Sequence, residues 1–381
     1  MTKEGPAVLD RRPALVPESE AELADIVREA GALRVEGGGT RPPGEVSGEV
    51  LSTARLEGIT LYEPGALTVV VSAGTALADL EAALVAEGQR LPFEPPDLRG
   101  LLGTEGVSTI GGVVATNASG PRRIQAGACR DFLLGVRFVD GTGAVVKNGG
   151  RVMKNVTGYD LVKLMAGSRG TLGVLTEVAL KVLPAPPVAT TLTLEGLAPG
   201  EAVRAMAAAL GSPYEVTGAA YEPDGGVHLR LEGFAGSVRH RVERLRAALE
   251  RFSPVSVVDE REAVAAIWRR IRDVEPVART EGDVWRISVK PSDAGRVAAL
   301  SEARLLFDWG GGLVWAAVPL GTDVRARLAG LSDHATLIRG GPETRARLGT
   351  FHPEPAPVAR LSRGLRARFD PRGILNPGLM S

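Results

Sequence analysis

The stretch Gly103-Thr104-Glu105-Gly106-Val107-Ser108-Thr109-Ile110-Gly111-Gly112-Val113-Val114-Ala115-Thr116-Asn117-Ala118-Ser119-Gly120 decides how the rest of the chain is read. Small and hydroxylated residues surround a short apolar run. Glycine lets main chain approach a ligand without interference from a Cβ, and the freed N–H groups and neighbouring hydroxyls suit phosphate oxygens. A comparable loop, Gly37-Gly38-Gly39-Thr40, lies upstream. Each loop alone is equally readable as a tight turn. Two of them in one domain point to a dinucleotide whose phosphates and sugar need support from both sides.

Working outward from those loops, Ser19-Glu20-Ala21-Glu22 is a capping box ahead of Leu23, Ile26, Val27 and Ala30, spaced as one face of a helix that Gly31 closes. Residues 13–16 form a short strand before it, and residues 33–35 a second strand that runs straight into Gly37. The result is a βαβ unit with its anion loop after the second strand. A Rossmann fingerprint needs G-x-G-x-x-G opening a helix after the first strand, but here Pro42-Pro43-Gly44 follows. A Walker loop is excluded too, because no Gly-Lys pair occurs in the chain.

Further along, residues 59–62 and 67–71 read as a hairpin around Pro64-Gly65, and Thr75 is placed to cap a helix carrying Leu77, Leu80 and Leu84 up to Gly88. A strand near residues 89–93 leads into the organising stretch, where residues 113–115 form a short helix. Residues 133–139 and 144–146 make another hairpin, residues 159–165 a helix and residues 174–183 a strand. Pro184-Ala185-Pro186-Pro187 is a stiff linker. Beyond it, strands at 190–194, 227–231, 284–289 and 313–317 alternate with helices near 201–210, 238–252, 262–272 and 322–328. That pattern predicts one antiparallel sheet with helices on one face, and the similar order of its halves hints at a repeat. A helix over 357–369 leads to a tail containing Asn376-Pro377-Gly378.

Composition narrows the functional classes. The 381 residues exceed the usual size of one domain. Lys plus Arg equals Asp plus Glu at 45 each, so no net field draws nucleic acid or anionic lipid. A single cysteine, Cys129, excludes an internal disulfide and any cysteine-ligated zinc or iron–sulfur cluster built from this chain alone. No run reaches the length of a membrane span, and Met1 to Arg12 hold no apolar signal-peptide core, so a cytoplasmic location is expected, with membrane association only through a partner.

The ordered set Gly37-Gly38-Gly39-Thr40, Thr109-Ile110-Gly111-Gly112, Asn117-Ala118-Ser119-Gly120, Val156-Thr157-Gly158-Tyr159-Asp160-Leu161, Gly167-Ser168-Arg169-Gly170-Thr171-Leu172-Gly173-Val174-Leu175-Thr176 and Asn376-Pro377-Gly378 resembles the vanillyl-alcohol oxidase type of FAD-binding proteins. Within that superfamily, Pro92-Phe93-Glu94-Pro95-Pro96, Ser119-Gly120-Pro121-Arg122-Arg123, Arg130-Asp131-Phe132-Leu133-Leu134-Gly135 and Val152-Met153-Lys154-Asn155-Val156 are similar to the E subunits of bacterial glycolate oxidases. The resemblance implies an α+β fold: a two-subdomain PCMH-type FAD-binding domain over residues 1–184, a shortened α+β cap over 188–350, and a helix and tail over 351–381 closing on the flavin.

By the same resemblance, backbone N–H groups of Gly37, Gly38, Gly39 and Thr40 hold the FAD pyrophosphate, joined by Thr109, Gly111 and Gly112. Pro96, Thr116, Ser119 and Gly120 complete the site, Val174 and Leu175 bond the ring or ribityl chain through backbone, and Asn376 closes over it. Both loops are needed on energetic grounds, since hydrogen bonds to charged groups contribute roughly 1.5–3 kcal/mol each while association costs about 4–15. Tyr159, Asp160, Lys154, Arg122 and Arg123 are the polar groups expected near the flavin.

The chain also departs from the family pattern. Glu36 stands where many relatives carry arginine, with Arg34, Arg41, Arg122 and Arg123 available to offset it. Thr40 and Arg41 occupy the place of the histidine that links covalent flavin, so noncovalent FAD is expected, and Cys129 reads as an ordinary small residue. The histidine-rich Gly-Asp-Gly-Asn segment of substrate-oxidising relatives is missing. His228, His240, His334 and His352 lie at no metal-binding spacing, and no catalytic residue is assigned. The implied partners are a larger flavin-bearing catalytic subunit and an iron–sulfur subunit, with a small 2-hydroxy acid as substrate of the complex. The alternatives are a free-standing FAD-dependent D-2-hydroxy acid dehydrogenase and a structural subunit with an empty flavin site.

Overall fold

Ser19 starts the first helix as its sequence requires. In the computed structural model, which describes residues 14–42, 44, 46–151, 158–298, 303–332 and 334–380, the Ser19 hydroxyl accepts from the Glu22 N–H and opens the helix Glu20–Glu29. The return bond of the capping box is shifted by one residue, since the Glu18 N–H donates to the Glu22 carboxylate (2.8 Å). Of the sequence expectations, the strand start at Pro13 and the motif residues 152–157, Lys154 included, lie outside the described residues.

Strand β1 (Leu33–Glu36) leads to the glycine loop and pairs in parallel with β2 (Glu49–Ser52). Leu15 adds a parallel bridge to Leu51, and Leu375 from the tail adds one to Leu33. The tail is held there by bonds from the Leu33 N–H to the Ile374 carbonyl (2.7 Å) and from the Asn376 N–H to the Leu33 carbonyl (2.9 Å).

The next strands are β3 (Ile59–Glu63), β4 (Thr68–Ser72), β5 (Gln89–Arg90), β6 (Leu133–Val139), β7 (Val145–Gly149), β8 (Val174–Lys181) and β9 (Leu183–Pro184). Five of them form an antiparallel sheet in the order β3-β4-β8-β6-β7. Val69, Val71, Val136, Phe138, Val178 and Leu180 bury one face of it against the helices Leu77–Ala86 and Ile110–Ala115. Thr75 does not cap the first of these helices. Its hydroxyl accepts from the Gly58 N–H instead (2.9 Å), and Ala76 takes the cap position without a side-chain bond.

After the proline-rich linker come β10 (Val188–Leu194), β11 (Val216–Glu222), β12 (Gly226–Gly233), β13 (Val255–Val258), β14 (Asp283–Ser288), β15 (Arg304–Asp308), β16 (Leu313–Val318) and β17 (His334–Arg339). All eight join one antiparallel sheet in the order β13-β10-β12-β11-β15-β16-β14-β17. The order is two βαββαβ units set edge to edge through their second strands, where Tyr221 faces Phe307. The hinted repeat is therefore a symmetry of the sheet. Only one strand of each central pair was legible. β11 is buried at every position, so it carries no alternation to read.

Helices cover both faces of this sheet rather than one. Neighbouring residues of β14 show it, because side chains alternate across a strand. Trp285 and Ile287 belong to the core on one face, which also takes in residues of the helices Pro199–Leu210 and Ala235–Leu249. Val284 packs on the opposite face with Val264, Trp268 and Ile271 of the helix Arg261–Arg272 and with Leu101 of the N-terminal half.

The two halves are locked by buried charge. Arg122 bonds Glu94 (2.9 Å) and Glu232 (2.8 Å), Arg90 bonds Glu232 (2.8 Å), and Arg230 bonds both oxygens of Glu94 (3.0 Å each). Arg230 also stacks on Trp268, 4.2 Å from the ring centre. Burial pushes the Glu94 and Glu232 carboxyls up, but the facing arginines outweigh it and hold both below the ordinary range. Their contribution to stability is present above the unfolded carboxylate value and is lost as pH falls through the depressed folded value. Removing one partner leaves an uncompensated charge. Arg230→Met is expected to lower unfolding free energy by about 3–5 kcal/mol, read from the denaturant midpoint. A loss below about 1 kcal/mol would show that Arg122 alone satisfies Glu94.

Candidate functional site

The two glycine loops meet back to back. A Cβ on Gly38 would stand far inside contact distance of the Val107 carbonyl, and one on Gly106 would do the same against the Gly38 carbonyl. Gly111 is equally constrained, its N–H donating to the Ala73 carbonyl (2.7 Å) while an added Cβ would lie 2.7 Å from Ala73. These glycines serve protein-to-protein approach rather than ligand room. Gly39 differs, with a φ of +75° and open space where a Cβ would point. Thr109 fixes the second loop by accepting from the Gly112 N–H (3.3 Å) at the start of the helix Ile110–Ala115.

Between the loops lies a cavity lined by Val35, Glu36, Gly37, Gly38, Gly39, Thr40, Arg41, Thr53, Thr109, Gly111, Gly112, Thr116, Arg169, Gly170, Gly173, Val174 and Leu175. Among the described residues, the N–H groups of Gly37, Gly38, Gly39 and Thr40 donate to no protein acceptor. Consecutive free amides of this kind form a concavity suited to phosphate oxygens. Glu36 is neutralised locally by Arg34 (2.8 Å).

Cations dominate the surroundings. Burial, softened by Asp97, lowers Arg41 to about 10, and burial with Arg41 as neighbour lowers Arg169 to about 10. Among the described residues neither forms an ion pair; Arg41 donates to the Ser108 hydroxyl (3.3 Å) and to the Pro96 carbonyl, and Arg169 stacks on Phe351 (5.0 Å). From the eight-stranded sheet, Arg286 lies 5.2 Å from the Trp309 ring, which Arg123 approaches to 4.4 Å. Burial and the charges of Arg123 and Arg169 lower Arg286 to about 10. Nearby Asp308, which accepts from the Trp309 N–H (2.7 Å), is raised by burial to about 7. Arg41 and Arg169 at the cavity, and Arg123 and Arg286 beside Trp309, are thus partly desolvated cations.

Ten of the fourteen cofactor residues expected from sequence line this cavity, and four do not. The Pro96 carbonyl is taken by Arg41. The Ser119 hydroxyl accepts from the Cys129 N–H (2.9 Å). Gly120 lies against the Glu94 carbonyl and accepts from the Trp309 indole (3.0 Å), making it a joint between the halves. Asn376 braces the cavity wall, accepting from the Val35 N–H (2.8 Å) and donating to the Arg169 carbonyl (2.8 Å).

Of the polar groups expected near a flavin, Tyr159 is exposed, Asp160 caps its own helix by accepting from the Lys163 N–H (3.1 Å), and Arg122 is committed to the interface. Sequence reasoning missed Thr53, Arg169, Arg286 and Asp308. Arg169 was visible inside the quoted Gly167–Thr176 motif, whereas Arg286 and Asp308, which are outside the cavity lining, carried no signal because the sheet alone brings them together beside Trp309. The histidines are scattered, with His228 beside Thr193 (3.2 Å), although His334 and His352 come within 6.5 Å of each other. Among the described residues no group of three or more His, Cys, Asp or Glu could hold a metal.

Two expectations follow. Gly38→Val forces the loops apart and should eliminate bound flavin, whereas Gly39→Ala meets no neighbour and costs only the strain of its positive φ, about 1 kcal/mol. Flavin absorbance per chain separates the two, and equal occupancy in both would refute the loop-packing account. The raised Asp308 carboxyl contributes stability below its unfolded value that is lost as pH rises through about 7. The melting temperature of Asp308→Asn relative to the parent should therefore rise between about pH 5 and about pH 8, and a constant difference would place Asp308 in water.

A sequence profile for the FAD binding domain matches residues 13–149. The glycolate oxidase subunit GlcE of Escherichia coli strain K12 is 38% identical over 337 residues, covering 88% of this chain and 88% of that one. The glycolate oxidase subunit GlcD of Bacillus subtilis is 34% identical over 41% of this chain and 31% of its own length. A D-lactate dehydrogenase of Anaerostipes hadrus is 42% identical over 36% of this chain and 28% of its own. Among solved structures, alkyldihydroxyacetonephosphate synthase matches with a TM-score of 0.68 at 15% identity, covering 95% of this chain and 76% of that one, which is a likeness of fold. With the PCMH-type architecture in place and this identity spanning most of both chains, the protein belongs to the glycolate oxidase GlcE family of FAD-dependent oxidoreductase subunits.

Proposed function

We propose that this chain is the FAD-binding subunit of a glycolate oxidase complex, holding FAD without a covalent bond and passing electrons within the complex. The observation that carries the reading is the run of four consecutive N–H groups, Gly37 to Thr40, which among the described residues have no protein acceptors and lie beside Arg41 and Arg169, themselves without an ion pair among those residues. These residues would hold the pyrophosphate, with Thr109 and Gly112 opposite, and Val174 and Leu175 offer backbone toward the ring system. FAD supplies, when bound, the electron acceptance that no side chain of this protein provides. Domains at 1–184, 188–350 and 351–381 fit this division of labour.

The noncovalent assignment draws on the lining, which holds no His, Cys or Tyr among the described residues. Cys129 lies buried outside it, its thiol pushed up by burial. A larger flavin-bearing partner similar to GlcD would oxidise the 2-hydroxy acid. Because the chain has one cysteine, an iron–sulfur relay would belong to a further subunit. A cytoplasmic location, with membrane association through a partner, fits this assembly; among the described residues no helix is long and apolar enough to cross a membrane.

One observation favours a second reading, a free-standing D-2-hydroxy acid dehydrogenase. Arg286, without an ion pair among the described residues, and the buried Asp308, raised to about 7, stand by Trp309 outside the cavity lining and are a cation and a carboxyl of the types that binding a carboxylate and taking a hydroxyl proton call for. Acid precipitation of the purified chain followed by anaerobic mixing of the native protein with glycolate or D-lactate separates the readings. Flavin is expected in the supernatant, and the isolated chain is expected to stay oxidised until the partner subunits are added. Colour retained in the pellet would sink the noncovalent claim. Rapid bleaching of the isolated chain would replace the subunit reading with the dehydrogenase.

A further inference from the structure

Two residues that follow the eight-stranded sheet in the chain, Phe351 and Asn376, close on Arg169. Arg169 lines the cavity in the turn between the helix Leu161–Met165 and β8, and its backbone takes a φ of +53°. A long side chain is uncommon in that left-handed region, and the strain persists only where the surroundings hold it. Here they hold it from three sides. The Arg169 N–H donates to the Ala115 carbonyl (2.9 Å) at the end of the helix Ile110–Ala115, its carbonyl accepts from the Asn376 amide (2.8 Å), and its guanidinium lies over the Phe351 ring (5.0 Å). The residue before Phe351 is itself pinned, since the Thr350 carbonyl accepts from the Leu337 N–H of β17 (2.9 Å) and from Arg325 (2.9 Å).

Asn376 is 1% exposed and also has a positive φ, +47°, a region that Asn tolerates better than most side chains. Its Oδ1 accepts from the Val35 N–H (2.8 Å) while its Nδ2 donates to the Arg169 carbonyl. A Cβ on Gly170 would stand 2.9 Å from that nitrogen, so the turn rests directly on the amide. Both partners are backbone groups, one a donor and one an acceptor. Of the short side chains, Asn alone presents an acceptor and a donor at separate ends without charge. Val35 stands two residues ahead of Gly37, where the run of N–H groups without protein acceptors among the described residues begins. One buried side chain therefore ties the wall that carries the amides to the wall that carries the cation.

We infer that Asn376 is a positioning residue for the cofactor: by joining Val35 to Arg169 it fixes the Gly37–Thr40 amides relative to the Arg169 guanidinium, and so sets the affinity for the diphosphate of FAD. The inference rests on the FAD-binding reading above and adds the residue that aligns the two sides of the anion site. Phe351 assists by orienting the Arg169 side chain while Asn376 holds its backbone. The site is complete only when the tail has folded back onto β1.

The test titrates FAD into the full chain stripped of flavin, following flavin fluorescence over a range of salt concentrations. Asn376→Leu keeps the size of the side chain and removes both bonds. It is expected to weaken FAD binding by about tenfold or more and to flatten the salt dependence of the Kd, because Arg169 no longer faces the diphosphate. Loss of general stability alone would leave that slope unchanged. In an Arg169→Met background the leucine change is expected to weaken binding less than it does in the parent, since both changes act on the same cation. Asn376→Asp keeps the test open if the leucine chain does not fold. Its carboxylate still accepts from Val35 but turns a bare oxygen toward the Arg169 carbonyl, so binding is expected to be weak at about pH 8 and to recover toward about pH 5 as the carboxyl gains a proton to donate. No recovery on acidification would overturn the positioning role. Parent-like binding by the leucine variant would also overturn it, reducing the aspartate effect to charge, and so would losses that add in full with Arg169→Met; each leaves the FAD reading standing. Failure of the parent to take up FAD would overturn both.

Discussion

Backbone meets backbone where the loop after β1 crosses the loop before the helix Ile110–Ala115, and the rest of the site depends on that contact. Gly38 and Gly106 are each other's neighbours, and any side chain at either would stand in the other strand of chain. The loop from Gly37 to Thr40 lines the cavity, and among the described residues its N–H groups donate to no protein acceptor. Gly111, pressed on Ala73, carries the second loop onto the edge of the five-stranded sheet through the Gly111–Ala73 bond. A local steric demand for glycine thus sets the shape of the cavity wall from Gly37 to Thr40.

The second constraint is electrostatic and sits between the halves. Glu94 and Glu232 are surrounded by Arg90, Arg122 and Arg230 so fully that these arginines are committed to structure. Arg41, Arg169 and Arg286 are not. Half-buried and without ion pairs among the described residues, they keep positive charge at the cavity and beside the neighbouring Trp309. The same chemistry of arginine therefore divides into two roles, and the division follows from whether a carboxylate lies opposite. Trp309 links them, giving its indole N–H to Gly120 at the joint and its face to Arg123 and Arg286.

Much of this was legible before any coordinates. Both glycine loops, the Ser19 cap, β1, the Pro64 hairpin and the proline-rich break emerge from local rules, since a cap, a turn or a helix face is specified by residues a few positions apart. Local rules failed at Thr75, whose hydroxyl found a partner in Gly58, and along β11, where burial on both faces erased the alternation. They failed again for the glycines themselves. Composition announced that something approaches closely at Gly38 and Gly111, but not that it is the protein's own backbone.

From the amino-acid order alone came the dinucleotide-type loops, the two-part α+β organisation, the exclusion of a self-contained metal cluster and membership in a flavoprotein superfamily, because all of these are written in short motifs and counts. The path of the tail back to β1, the use of Asn376 as a brace, the pairing that silences Arg122 and the meeting of Arg286, Asp308 and Trp309 were decided by tertiary structure. Each depends on residues well separated in the chain being brought into contact or close to it by sheet pairing and core packing, and no local pattern encodes which distant charge will stand opposite and which will be left without one.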